Sequence, residues 1–395
     1  MNKYYHFTKN TKHNSLLSEI VQISIESLEE MFLPDKNEFA MMKSMQNNSV
    51  SIENINSRYT LINLIGLYKA KNYGFNTNLD LDKILKHHIE KAETITGVGE
   101  LGLLLWAIGL ISPASSTQLL TKINFNEALL NFKDSKLGYT MELSWFLTGL
   151  LFASTFNEKF KSSIDNLPNK VYKRIRKNYG GHGIFQHEDK NNLEGKIRAN
   201  IGTIADQIYP IYALSLYSQQ MQNEEALLIA KECALKICEH QGKNGEWKWQ
   251  YDSETGKIIS HFPIHSVHQL ALAPMALFSI QMASETDFSK NIFNSLNWLA
   301  ENQKLYNQII DKKNNAIWNK VTPIINNKLS SILNYFRINS FSKFRKLKVD
   351  YVSSSYDFGW ILYTFAGRIS LDQKIENGNR VHNTLQVFEL KQQNT

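Results

Sequence analysis

The chain has 395 residues, 44 Lys and Arg against 37 Asp and Glu for a net charge of +7, and 17 Tyr, 21 Phe and 7 Trp to fill a core. That length suits one large domain or two small ones, and so mild a basic excess permits an anionic partner without demanding one. The sequence contains no run of about 18 apolar residues, no Gly-rich phosphate loop, no Gly-x-Ser-x-Gly elbow and no zinc-ligand quartet, which excludes a spanning helix and the chemistries those motifs carry.

The N-terminal stretch MNKYYHFTKNTKHNSLLSEI lacks an apolar core of signal-peptide type, so a cytoplasmic location is expected. Apolar residues then recur at helical steps along SLLSEIVQISIESLEEMF, where Leu17, Ile20, Val21, Ile25, Leu28 and Phe32 precede a stop at Pro34. SRYTLINLIGLYKAKNYG predicts a second helix closed by Gly74, and DLDKILKHHIEKAET, GELGLLLWAIGL and YTMELSWFLTGLLFAS predict three more. IADQIYPIYALSLYSQQ pairs with NEEALLIAKECALKICEHQ as a helical hairpin, PIHSVHQLALAPMALFSIQMAS pairs with SKNIFNSLNWLAENQ as the next, and YDFGWILYTFAGR closes the series. The segment WKWQYDSETGKIISHF alternates around a Thr-Gly turn and predicts a short strand hairpin. Cys233 and Cys238 are poorly spaced for a disulfide or a metal site and are expected as free core thiols. Alternating inner and outer helices without a Gly-, Ser- or Pro-rich linker describe an all-α fold, a single-domain α/α toroid spanning 1–395.

One motif stands out. After Leu235 come Gln241, Gly245 and Trp247, a Gln-x-x-x-Gly-x-Trp unit at a helix end. Gly183 and Phe185 form a weaker echo upstream, and Leu296, Gln303 and Trp318 a longer one downstream. At such an end the Gln amide can bond terminal carbonyls, Gly supplies a left-handed residue and the aromatic ring plugs the turn. The unit resembles the repeat of squalene and hopene cyclases and of protein prenyltransferase β subunits. Their chemistry has no match here, since the Asp-x-Asp-Asp acid is missing and Asp80-Leu-Asp82-Lys falls at an ordinary helix start. QGKNGEWKWQYD followed by FPIHSVHQLALAPMAL also resembles the six-hairpin glycan enzymes: unsaturated-glucuronyl hydrolases, sugar epimerases and toroid polysaccharide lyases. Both resemblances imply a toroid. The first implies an isoprenoid substrate, the second a uronic-acid-like sugar.

The candidate site residues lie where loops enter inner helices. The densest group is Trp247, Trp249, Tyr251 and Asp252, followed by His261, His265, His268 and Gln269, with Pro263 expected to open the helix and His265 and His268 to share its first turn. Paired imidazoles near a carboxylate suit acid–base work, and flat indole faces suit sugar rings or isoprenoid cations. A second group surrounds His182 in NYGGHGIFQHEDKNN, with His187, Glu188 and Asp189 beyond it. A third places Asp206 and Tyr209 ahead of Pro210 and Tyr212, so that Asp206 either caps the helix or works with Tyr209, as toroid lyases pair Tyr with His. Glu100, Glu142 and Asp357 head other apolar helices, complementing their dipoles singly and forming a polar funnel together. His268, His265, Asp206, Tyr209, His182, Glu142 and Asp357 are the catalytic candidates. Trp249, Trp247, Tyr251, Tyr212, His261 and Gln269 are the substrate-binding ones, and no metal or cofactor is expected.

The stretch 320–348 is basic and free of Asp and Glu, with Lys320, Lys328, Arg337, Lys343, Arg345, Lys346 and Lys348 interleaved among apolar residues. It is expected as an amphipathic insertion or surface helix, able to lie on an anionic membrane surface such as the inner membrane or to cover the toroid wall. Nucleic acid is not expected, because no binding motif accompanies it. The reading is an enzyme of complex-carbohydrate metabolism, performing lyase, epimerase or hydrolase chemistry on a glycan or other small molecule in the central cavity. The alternatives are a terpenoid-cyclase-like enzyme and a non-catalytic binding toroid.

Overall fold

The computed structural model describes residues 11–46, 49–125, 139–188, 200–324 and 347–369. Its principal helices are α1 (Thr11–Met31), α2 (Ser57–Asn72), α3 (Leu81–Glu90), α4 (Val98–Ile111), α5 (Thr140–Thr155), α6 (Leu167–Lys177), α7 (Ala205–Met221), α8 (Glu224–Glu239), α9 (Ala273–Ser284), α10 (Ser289–Ala300) and α11 (Ser355–Phe365). Six of them, α2, α4, α5, α7, α9 and α11, are buried around most of their circumference, which only an inner position can satisfy. The others bury one stripe and expose the opposite face, as outer helices do. The inner helices pack in chain order around a ring, and α11 closes it between the head of α9 and α2. The fold is thus a single α/α toroid, as the helical pattern predicts.

Small residues let α4 and α5 approach closely. A Cβ on Gly149 of α5 would lie 2.1 Å from the Gly102 carbonyl oxygen of α4, so the two backbones touch where neither has a side chain. The lower centre of the ring is filled by Trp106, fully buried and stacked on Phe152 and Tyr212 with centroids 5.5 and 5.4 Å away, with Tyr363 edge-on at 5.3 Å. The ring is therefore closed by aromatic packing at that level, and its open face lies at the helix N-termini.

Strands are short and decorate that face. Residues 250–252 and 258–260 form the expected hairpin, with 201–203 as a third strand. Residues 38–46 and 49–55 make a second hairpin that leads into α2, and 352–354 pairs with its first strand just before α11. Lys320–Pro323 pairs with both Ile264–His265 and Leu347–Asp350. The ends of the basic stretch are therefore strands, while 325–346 lies outside the described residues, as does Asp189.

Gly183 and Gly245 head two copies of one local structural unit, whose clamping amide is Gln207 or Gln269 and not the Gln241 of the motif. One constant offset relates Gly183 to Gly245, Phe185 to Trp247, His187 to Trp249, Asp206 to His268, Gln207 to Gln269 and Cys233 to Ser295. In the first copy Gln207 accepts the Phe185 N–H at 2.7 Å and donates to the Phe185 carbonyl at 2.9 Å. In the second, Gln269 accepts the Trp247 N–H at 3.0 Å and donates to the carbonyls of Gly245 and Ser295 at 2.9 and 3.0 Å. The downstream echo is not a third copy, since Gln303 is exposed and donates to Asn307 in its own helix.

Neither Pro210 nor Pro263 opens a helix, although that is the place expected of Pro263. Pro210 lies inside α7, past its first turn. Pro263 follows a cis peptide and precedes a strand at Ile264–His265, and the helix begins only at Ser266, with a π-helical turn over His268–Leu272. Cys233 and Cys238 are free thiols as expected. Among the described residues no helix is long and apolar enough to cross a membrane.

Candidate active site

The first turn of each inner helix brings one charged or imidazole side chain to the same end of the ring: Arg58 on α2, Glu100 on α4, Glu142 on α5, Asp206 on α7, His268 in the turn that opens α9, and Asp357 on α11. Carboxylates at four of these heads complement the helix dipoles. Aromatic rings stand between them. Tyr59 packs edge-on against Tyr356 at 4.7 Å, and Tyr209 lies 5.2 Å from Trp145 and 5.8 Å from Trp360. Arg58, Tyr59, Glu100, Tyr139, His187, Trp249, His265 and Tyr356 all keep partial solvent exposure, so this end is open.

Asp357 is a strongly perturbed carboxyl. It is fully buried, its Oδ2 accepts a long bond from the Ser354 N–H at 3.5 Å, and its Oδ1 has no hydrogen-bond partner. Burial pushes its pKa up to about 8, against the opposing pull of the Ser354 N–H and the Tyr356 hydroxyl. At neutral pH it is mostly a protonated acid. Burial, with the Asp357 charge adding to it, also raises the neighbouring Tyr356 and Tyr59 phenols. Tyr209 is raised by burial too, and the nearby Trp145 and Trp360 indoles, outside ordinary hydrogen-bond geometry, offset part of that rise.

Asp206 is built differently. It is buried and saturated with donors: the Thr203 N–H at 2.8 Å, the Thr203 hydroxyl at 2.7 Å and His187 Nδ1 at 3.1 Å from each carboxylate oxygen. The carboxylate fixes the His187 ring, whose other nitrogen becomes the acceptor, and Tyr139 packs beside it at 4.7 Å. His187 thus takes the place in the site that its neighbour His182 was expected to fill.

In the second copy of the repeat, Trp249 occupies the position of His187. Its ring lies 4.7 Å from His265 and 6.0 Å from His268, and the two imidazoles are 5.5 Å apart. His265 meets the Asn319 amide oxygen at 3.3 Å, and burial lowers its pKa. His268 is nine-tenths buried with Nδ1 unpartnered, and burial and His265 hold it down at about 3. It is neutral at any physiological pH and can exchange hydrogen bonds but not carry a charge.

The last cluster joins α2, α4 and α5. Arg58 Nη1 meets Glu142 Oε1 at 2.5 Å. Burial raises the Glu100 carboxyl, Arg58 lowers it in part, and Glu38 and Glu142 add to the rise. Glu142 Oε2 has no partner and sits where a Cβ on Gly99 would be, 1.9 Å away, so a side chain there would push the carboxylate aside.

Of the expected site residues, the structure gathers Glu142, Asp206, Tyr209, Trp249, His265, His268 and Asp357 at this face. Five are elsewhere. Trp247 is the buried plug of the repeat and donates from Nε1 to Ser295 at 2.8 Å, and Gln269 is its clamp. Tyr251 is fully buried against His240 of the outer layer, because its strand turns it away from the ring. Tyr212 lies in the aromatic floor, hydrogen-bonded to Tyr363 at 2.6 Å. His261 is exposed beside Lys248 and Glu246. His182 is also exposed, on a turn against Gly256 and Lys236 of α8, and so is a sixth residue away from the ring. Arg58, Tyr59 and Tyr356 join Glu142 and Asp357 at this face, each at a helix-head position like theirs.

The fold is that of unsaturated glucuronyl hydrolases. The enzyme from Bacillus sp. GL1, described as responsible for glycosaminoglycan degradation, is 13% identical, with 89% of this chain and 95% of that chain covered at a TM-score of 0.53. A mutant from Streptococcus agalactiae in complex with dGlcA-GalNAc6S is 14% identical, covering 91% and 93% at 0.53. A heparin-specific enzyme of the same name is 12% identical, covering 91% and 96% at 0.54. No family model and no curated protein matches the sequence. At such identities the likeness concerns architecture alone.

Proposed function

We propose that this chain is a carbohydrate-active enzyme that hydrolyses a glycan at a uronic-acid-like sugar held in the mouth of the toroid. The observation that carries the reading is Asp357, a fully buried acid kept protonated near neutral pH and surrounded by phenols at the head of α11. Asp357 donates the proton to the leaving oxygen. His187, oriented by Asp206, accepts the proton of the attacking water. Trp249 offers its face to a sugar ring, with neutral His265 and His268 bonding the hydroxyls. A ring of ionisable groups suits a hydroxyl-rich substrate and not an isoprenoid, which favours a sugar over the cyclase alternative. That the similar solved structures are hydrolases of unsaturated glucuronyl groups supports the same class. For a lipid-linked glycan, the basic stretch 320–348 would supply the contact with an anionic membrane.

The test is mass spectrometry of acidic and neutral oligosaccharides after incubation with the protein. Fragments whose summed mass gains one water, from acidic substrates only and absent with Asp357→Asn, are the expected result. Cleavage without added water would mean elimination instead. Intact acidic oligosaccharides across the panel would overturn the reading.

A further inference from the structure

We propose that Arg58 selects for an acidic sugar by exchange: the sugar carboxylate displaces Glu142 from the guanidinium, and the Glu100–Glu142 pair takes up one proton as it does so. This rests on the acidic-sugar reading above and deepens it. Arg58 is the one guanidinium or ammonium on the ring of first-turn residues, and its side chain is 26% exposed while that of Glu142 is 4% exposed. A ligand arriving from the mouth therefore reaches the guanidinium and not the carboxylate behind it. The guanidinium Nη2 lies over Gly97, 3.2 Å from where a Cβ would be, and the Glu142 carboxylate over Gly99, so two glycines seat the pair edge to edge. This geometry leaves an incoming carboxylate one planar fork to bind.

Glu142 has nowhere to go when it is displaced. Its Oε2 already lacks a hydrogen-bond partner, and its Oε1 has only the Arg58 bond. Without Arg58 it would be a buried anion with no donor, a state that proteins avoid by protonation. The groups facing it deepen the effect. Glu100 stands on the adjacent helix, and Glu38 comes from the hairpin strand. Tyr59 lies beside Arg58, and the Asp206–His187 pair lies on the next inner helix and its loop. Among the described residues, a third carboxylate at Arg58 leaves one cation against the ligand, Glu100 and Glu142, so a proton enters from solvent. Affinity then falls as pH rises.

Isothermal titration calorimetry with glucuronate, in phosphate and in Tris at the same pH, reads the proton directly from the difference in heat. We expect uptake of about one proton per glucuronate bound, and binding of glucose weaker by about tenfold or more, a difference of one 1.4 kcal/mol step. Glu142→Gln should keep glucuronate binding and lose the uptake, and Arg58→Gln should lose the preference over glucose. Glucuronate binding with no proton uptake by the wild-type protein would overturn the exchange and leave the acidic-sugar reading standing. Failure of glucuronate to bind at all would overturn both.

Discussion

At the scale of single residues, burial has turned ordinary side chains into groups with opposite proton affinities. The Asp357 carboxyl rises from 3.8 to about 8. The folded chain therefore holds a proton there that the unfolded chain releases, and stability declines as pH climbs from about 4 through about 8. His268 has the reverse slope: its pKa falls from 6.5 to about 3, so stability declines as pH drops through that window. Asp357→Asn keeps a carbonyl for the Ser354 N–H but cannot ionise. Its melting temperature at pH 8 to 9 should exceed that of the wild type, with the difference vanishing near pH 4, and its glycan turnover should fall by about a hundredfold or more. Melting curves across that pH range check the first claim. An unchanged alkaline limb would mean that Asp357 is ionised in the fold.

At the scale of elements, the repeat works through one buried amide in each copy. Gln269 ties the Trp247 N–H to the Gly245 and Ser295 carbonyls, and Gln207 does the same service for Phe185. Replacing either by Leu leaves several buried backbone groups unpaired and should cost about 3 kcal/mol in urea denaturation. Gln303→Ala, at an exposed position of similar sequence context, should change stability by no more than about 0.5 kcal/mol. The same copies position chemistry. The residue two places beyond the plug is His187 in one and Trp249 in the other, and the residue before the clamp is Asp206 in one and His268 in the other. A single scaffold unit thus places an imidazole at the mouth in one sector and an indole in the next.

At the scale of the whole molecule, the ring must be filled below and open above. Trp106 performs the first task, since its ring touches α5, α7 and α11 through Phe152, Tyr212, Trp360 and Tyr363. Truncation to Ala should cost about 3–5 kcal/mol by denaturant titration. It should also loosen Trp360, which connects that floor to Tyr209 in the site. A loss of stability below about 1 kcal/mol would show that the floor is not a packed layer.

The sequence by itself determined the helices and the toroid, because apolar residues at helical spacing on every side of a segment leave no place for it except inside a ring. It also placed Glu142, Asp206 and Asp357 at helix heads, since an acid in a first turn can be read without knowing any contact. Three things needed the tertiary structure. The Gly-x-Trp spacing already marks Trp247 as the plug, but only packing shows that Tyr251, two residues beyond Trp249, turns away from the ring. His182 and His187 differ by a turn of backbone, and only the folded loop shows which one Asp206 holds. Arg58 carries no sequence signal that marks its partner, because Glu142 meets it only once α2, α4 and α5 have closed part of the ring. The general reason is that periodicity is a local property of the chain, whereas burial, which sets the pKa of Asp357, is a property of everything packed around it.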